Sequence, residues 1–212
     1  MFIGVYTIPV LITYLGLMSS MLAAVFSIEG NFKFSIILLM LSGIFDLFDG
    51  MVARKLNKTE KENLFGIQID SIVDICSFGI FPTIIGYNMG LNTKLDLVIF
   101  GLYICGATMR LAYFNYLALS SENKNENKTE DKPKKKSFLG LPVTFSAIIL
   151  PLVFVLSFIL TQGFNVLALR ITYLLVAVLF VSKIKIPKPT GIWYYILPAL
   201  TILWSILTFV ML

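Results

Sequence analysis

Four aspartates stand in two otherwise apolar stretches of this chain, Asp46 and Asp49 in the first and Asp70 and Asp74 in the second. Hydropathy places these carboxylates, and no other acidic residues, at membrane depth, where inserting one ionised carboxylate costs about 2.5–3.5 kcal/mol. Their spacings of three and four residues put each pair on one face of a helix. Two such faces packed together would form an oxygen-rich site, and a divalent cation is the partner that best compensates its charge.

The elements that must position these aspartates are membrane-spanning helices. The chain has 212 residues, of which 58% are hydrophobic and 14% charged, and its mean hydropathy is +0.88. So much apolar surface cannot be hidden in a soluble core, which predicts an all-α, polytopic membrane bundle of about six to seven helices. The first span lacks a basic leader and is expected to be retained. The candidate spans are 4–27, 33–54, 64–87, 94–118, 138–161, 165–182 and 191–212.

The distribution of basic residues predicts the orientation. Thirteen of the 17 lysine and arginine residues fall in three alternate connections, 54–61, 124–136 and 183–188. Because such loops remain in the cytoplasm, we expect the N-terminus and the aspartate site to face the cytoplasm. With seven spans the C-terminus would face outward, and a re-entrant helix would reverse that orientation.

Residues 1–212 are interpreted as a single membrane domain with one charged cytoplasmic loop, 121–137, that is rich in lysine, glutamate and asparagine. Its lysines follow the usual cytoplasmic bias, and they could also attract anionic membrane lipids. We expect no nucleic-acid partner. The chain contains no histidine, which excludes histidine acid–base chemistry, histidine metal ligands and a Ser-His-Asp triad.

The aspartates belong to a longer pattern. It reads Asp46-x-x-Asp49-Gly50-x-x-Ala53-Arg54, then eleven residues, then Gly66-x-x-x-Asp70-x-x-x-Asp74. This pattern resembles the signature of the CDP-alcohol phosphotransferases, integral membrane enzymes that make phospholipids by displacing CMP with an alcohol. The family usually has about eight residues where this chain has eleven, but the extra residues fall in a polar loop that tolerates insertions.

The resemblance implies roles for these residues. Asp46, Asp49 and Asp70 would hold Mg²⁺ or Mn²⁺, since both ions prefer oxygen ligands. Asp74 would contact a second metal ion and accept the proton of the incoming hydroxyl. The remaining positions would bind the nucleotide lipid: small residues let it approach the helix backbone, and a guanidinium offers donors to phosphate. These positions are Gly50, Ala53, Gly66 and Arg54.

Four further stretches resemble the branch of this family that uses serine as the acceptor. They are residues 70–82, 109–115, 138–142 and 181–187. The resemblance implies transfer of a phosphatidyl group from CDP-diacylglycerol to L-serine by a homodimer in a prokaryotic cytoplasmic membrane. It also makes Arg110 a substrate ligand, although a lone arginine at a helix end can equally be a snorkelling anchor. Two positions depart from the branch: Tyr113 replaces an arginine, and Thr144 replaces a proline.

Several alternatives remain open from the sequence. The acceptor could be glycerol 3-phosphate, an inositol phosphate or an amino alcohol, and the donor could be another CDP-linked molecule. Buried acids also occur in cation or proton transporters, but that function explains the glycine, alanine and arginine of the signature poorly. The small face formed by Ser42, Gly43, Gly50 and Ala53 could serve only close helix packing.

Overall fold

The computed structural model describes residues 4–57, 59–125, 137–161, 163–187 and 204. Within them, four helical stretches are long and apolar enough to cross a membrane, and two shorter apolar helices follow. The chain is therefore a polytopic helical membrane protein, as the composition predicts. The elements are α1 (Ile8–Ile28), α2 (Phe32–Lys55), α3 (Glu60–Asp74), a π-helical turn (Ile75–Ile80), α4 (Phe81–Asn88), α5 (Lys94–Asn125), β1 (Ser137–Leu139), a 3₁₀ turn (Val143–Phe145), α6 (Ser146–Thr161), α7 (Val166–Val181) and β2 (Lys185–Pro187).

Two of the predicted spans differ from the observed helices by several residues. The span predicted over 138–161 is wrong at its start, because Gly140 has a φ of +75° and Pro142 follows it, so that strand β1 and a 3₁₀ turn precede α6. Helix α5 continues through Asn125, five residues into the predicted charged loop. The last predicted span, 191–212, lies outside the described residues except for Trp204.

Helices α1 and α2 pack antiparallel around a tight turn at Gly30, whose φ is +76°. Polar and small residues allow this pair to approach closely. The Ser19 hydroxyl donates to the Leu38 carbonyl at 2.8 Å, and a Cβ on Gly16 would lie 3.3 Å from the Phe45 Cβ. Close packing of this kind is how membrane helices associate without a strong hydrophobic effect between them.

A π-helical turn joins α3 to α4, so one long membrane helix contains both α3 and the turn that follows Asp74. Pro82 has no N–H to offer to the Phe78 carbonyl four residues earlier. The buried hydroxyl of Tyr103 on α5 donates to that carbonyl at 2.6 Å. The Tyr173 hydroxyl on α7 donates to the carbonyl of Pro82 itself. Two tyrosines thus attach α5 and α7 to the segment directly after the aspartate helix.

Strands β1 and β2 form a short antiparallel ladder, with Phe138 opposite Ile186. The sequence predicts no strand, because three-residue segments carry no recognisable periodicity. The ladder joins the residues just before α6 to those just after α7. It therefore lies at the C-terminal end of α7.

Candidate active site

Helices α2 and α3 bring three of the aspartates together. One carboxylate oxygen from each of Asp46, Asp49 and Asp70 lies within 4.8 Å of the other two. Two unit charges at this separation repel by about 3 kcal/mol at an effective dielectric constant of 20. Asp49 is only 5% exposed, so water screens it little. The donor set, three hard carboxylate oxygens converging on one point, fits Mg²⁺ or Mn²⁺.

Asp74 lies one helical turn beyond Asp70 and is 8% exposed. Its carboxyl group is in hydrogen-bond contact with that of Asp46. Among the described residues, the group whose oxygens converge within the metal-binding distance contains the other three aspartates but not Asp74. Asp74 therefore lies beside the candidate metal centre and contacts it through Asp46.

Two threonines that sequence reasoning did not assign to the site hold the aspartates. The Thr13 hydroxyl on α1 donates to Oδ2 of Asp49 at 2.6 Å. The Thr144 side chain in the 3₁₀ turn is hydrogen-bonded to Asp46. A hydroxyl donor fixes the orientation of a carboxylate, as outer partners of metal ligands do. A threonine in an apolar helix is too common to reveal such a role, and in the sequence Thr144 stands out only as a departure from the family branch.

Beside the aspartates is a cavity of about 130 Å³ at the meeting of α1, α2 and α3. The small residues of the signature, Gly50, Ala53 and Gly66, lie on its wall. The wall is formed by Pro9, Val10, Thr13, Asp49, Gly50, Ala53, Asn63, Gly66, Ile67, Ile69 and Asp70. The signature does not predict Pro9 and Val10, because they lie on α1, or Asn63, because it precedes the first signature residue of α3, Gly66.

The small-residue face of α2 has two different uses. A Cβ on Gly43 would lie 2.8 Å from the Ala147 Cβ, so at this position the absent side chain permits close packing with α6. At Gly50, the nearest atom that an added Cβ would meet outside the helix backbone belongs to the Arg54 side chain, 3.6 Å away. The packing interpretation therefore applies to Gly43, whereas Gly50 opens onto the cavity. The Arg54 Nε donates to the Gly50 carbonyl at 2.8 Å, which places the guanidinium at the cavity's edge.

Arg110 lies on α5 and interacts electrostatically with Asp74. It is 8% exposed, which is more burial than a snorkelling anchor needs. Five residues further on, Asn115 accepts a hydrogen bond from the Ser71 hydroxyl at 3.0 Å. Since Ser71 follows Asp70, this contact ties α5 to the aspartate helix.

Four helices that can cross a bilayer and a half-buried carboxylate centre beside a small-walled cavity define a polytopic membrane protein with a polar site on α2 and α3. The family model described as CDP-alcohol phosphatidyltransferase matches residues 6–180. The chain belongs to this family, and the matched region contains every aspartate of the centre.

Three named relatives resemble the chain over most of its length. The archaetidylserine synthase of Methanothermobacter thermautotrophicus is 30% identical over 186 residues, 87% of this chain and 71% of the relative. The CDP-diacylglycerol–serine O-phosphatidyltransferase of Bacillus subtilis is 33% identical over 85% of this chain and 89% of its own. The enzyme with the same name from Methanocaldococcus jannaschii is 32% identical over 91% of this chain and 80% of its own.

Proposed function

We propose that this chain transfers a phosphatidyl group from CDP-diacylglycerol to the hydroxyl of L-serine and releases CMP. The observation that carries the proposal is the convergence of Asp46, Asp49 and Asp70 next to Asp74 and the small-walled cavity. The relatives that cover most of the chain support serine as the acceptor, since their names specify serine products or serine transfer. Family membership argues against the transporter alternative.

The donor side of the reaction follows from the cavity. Asp46, Asp49 and Asp70 would hold the divalent cation, which neutralises charge on the donor diphosphate when it is bound. Gly50, together with Ala53 and Gly66 on the same wall, leaves room for the nucleotide against the helix backbones. Arg54, already turned towards the Gly50 carbonyl, is within reach of phosphate at the cavity's edge.

The acceptor side follows from Asp74. This carboxylate takes the proton of the serine hydroxyl while the serine oxygen forms a bond to the phosphorus that bears diacylglycerol. The bond from that phosphorus to the bridging oxygen breaks, and CMP leaves with the bond's electron pair. The proton on Asp74 then passes to solvent. Arg110, buried and beside Asp74, is placed to orient the acceptor.

A second donor deserves a test because one relative is an archaetidylserine synthase. An archaetidyl lipid would present the same diphosphate to the aspartates, and its chains would remain in the bilayer. The choice between the two lipids therefore does not alter the roles of the aspartates. Cytoplasmic orientation of the site and pairing into a homodimer stay predictions from the basic loops and from the resemblance.

The experiment is CMP release by the purified protein in detergent with Mg²⁺ or Mn²⁺. CDP-diacylglycerol and the CDP-linked archaetidyl lipid are compared as donors, and L-serine, glycerol 3-phosphate, inositol phosphate and choline as acceptors. We expect release with L-serine. Release with another acceptor alone would overturn serine as the substrate, and no release with any pair would overturn the proposal.

The Asp74→Asn variant tests the assigned base. It keeps the side chain's size but cannot take the proton, so we expect turnover to fall by about a thousand-fold or more. Binding of the nucleotide lipid should change by less than about three-fold, because the three converging carboxylates remain. Near-normal turnover would contradict the role of Asp74.

A further inference from the structure

A second cavity has Arg110 on its wall and none of the four aspartates. It has a volume of about 470 Å³ and opens between the C-terminal half of α5 and the end of α7. Two of its lining residues are cationic, Arg110 and Lys183, and two carry hydroxyls, Tyr113 and Ser182. None of its lining residues among the described parts of the chain is acidic. The cavity is therefore suited to an anion.

Arg110 lines this cavity and carries one buried donor that is unpaired among the described residues. The guanidinium carbon stands 4.5 Å from the centre of the Phe114 ring, so one face of the group is covered. Its Nε is buried and has no hydrogen-bond partner among the described residues. A buried N–H without a partner is destabilising, and a carboxylate would satisfy it. The unpaired donor is thus an independent sign that a ligand belongs here.

Lys183 lies two residues beyond the end of α7, and its backbone is held by the segment that precedes α6. The Gly140 N–H donates to the Ile184 carbonyl at 2.8 Å, and the Leu141 N–H donates to the Leu179 carbonyl at 3.1 Å. The pairing of β1 with β2 continues this attachment on the C-terminal side of Lys183. Lys183 is therefore carried on a fixed turn instead of a loose connection.

Gly140 makes this attachment possible. Its φ of +75° disfavours any residue with a Cβ. An added Cβ would also lie 2.8 Å from the Phe180 carbonyl oxygen and 3.0 Å from that of Ser182. Because these contacts are with backbone atoms, a side chain at position 140 would have to displace the turn that carries Lys183.

We propose that Lys183, positioned by the Gly140 turn and the β1–β2 ladder, binds the carboxylate of the amino-acid acceptor together with Arg110 in this cavity. The inference rests on the proposed function and names its specificity-determining cation. Arg110 lines this cavity and also interacts electrostatically with Asp74, so a carboxylate bound between the two cations lies near the proposed base. The hydroxyl of the same acceptor can then turn towards Asp74.

The test measures KM for L-serine and for CDP-diacylglycerol separately in the Lys183→Gln variant. Losing one charge-assisted contact should raise KM for serine about ten-fold or more. KM for CDP-diacylglycerol should stay within about two-fold, since Lys183 is not on the wall of the donor cavity. Lys183→Arg should restore most of the serine affinity. Lys94→Gln is the matched control, since Lys94 is an exposed lysine at the opposite end of α5.

A neutral acceptor separates carboxylate binding from a structural effect. L-serine methyl ester keeps the hydroxyl and the amine but has no carboxylate charge. The wild-type protein should have a higher kcat/KM for serine than for the methyl ester. The ratio of the two values should be smaller in Lys183→Gln. Gly140→Ala should raise KM for serine as well, because it moves the turn.

The outcomes distinguish this inference from the function on which it rests. Wild-type protein that releases no CMP with serine would overturn the proposed function itself. Serine-dependent release with an unchanged serine KM in Lys183→Gln would overturn only the role of Lys183. Equal use of serine and its methyl ester by the wild-type protein, or equal losses for both in the variant, would also overturn it.

Discussion

Two regions of this membrane protein bury carboxylates, and they satisfy them differently. At the aspartate centre, the oxygens of Asp46, Asp49 and Asp70 converge within 4.8 Å. At the other end of α5, Asp96 is fully buried and forms an ion pair with Arg170, with Nε 2.5 Å from Oδ1. The chain thus supplies a cation for the single carboxylate, whereas three converging carboxylates repel one another until a cation binds.

The hydrogen bonds show the same contrast. Asp96 accepts bonds from the backbone N–H and hydroxyl of Thr93, at 3.0 and 2.6 Å, which close the first turn of α5. It also receives two donors from Arg170, which joins α5 to α7. The hydroxyls of Thr13 and Thr144 instead orient Asp49 and Asp46 without adding charge. A buried acid with a built-in partner stabilises the fold, and a cluster oriented by neutral donors is prepared for a ligand.

An aspartate-to-asparagine substitution should affect CMP release and Mn²⁺ binding far more at the aspartate centre than at Asp96. Asp70→Asn removes one of three converging carboxylates, so CMP release should fall by about a thousand-fold or more because metal binding supplies several kcal/mol of catalysis. Mn²⁺ should raise the melting temperature of the wild-type protein by mass action and should not raise that of the variant. Asp96→Asn is the matched control and should keep the Mn²⁺ effect. An intact Mn²⁺ response in Asp70→Asn would contradict the assigned metal ligand.

Removing an orienting hydroxyl should have an intermediate effect. Thr13→Val keeps the shape of the side chain but loses the donor to Asp49, so affinity for Mn²⁺ should fall by about ten-fold. Electron paramagnetic resonance titration of free Mn²⁺ measures this without turnover. Thr13→Ser should retain most of the affinity.

The control for Thr13 is Thr172→Val, because within the described part of the chain the Thr172 hydroxyl donates to its own helix, at the Ala168 carbonyl. An equal loss of affinity in that variant would show that the effect of Thr13→Val is not specific to Asp49.

Disrupting the ion pair between Asp96 and Arg170 should have the smallest effect on CMP release. Asp96→Asn weakens the contact with Arg170, so the melting temperature should fall by about 5 °C while CMP release at permissive temperature stays within about two-fold. Combining it with Arg170→Gln should cost less than the sum of the two single changes, since both variants remove one interaction. A strictly additive loss, or a large loss of turnover, would show that the two regions do not divide stability and catalysis in this way.

The sequence predicts the aspartate centre but not the ion pair between Asp96 and Arg170. Sequence reasoning placed four acidic residues at membrane depth and did not include Asp96, because that residue follows the polar start of a predicted span. Its partner Arg170 is 74 residues away, and no local pattern links the two. The spacing of the four aspartates, by contrast, is local to two helices, and helical periodicity alone pairs them.

The sequence by itself determined the membrane class, the approximate positions of the first spans and the pairing of aspartates on two helix faces, because hydrophobicity and helix period are properties of neighbouring residues. Only the tertiary structure decided which contacts join distant segments: Thr13 and Thr144 with the aspartates, Arg170 with Asp96, and the Gly140 turn with Lys183. It also divided the small residues of α2 between packing at Gly43 and an open cavity at Gly50. These outcomes depend on how helices pack, and helix packing brings together side chains whose separation along the chain carries no signal of their meeting.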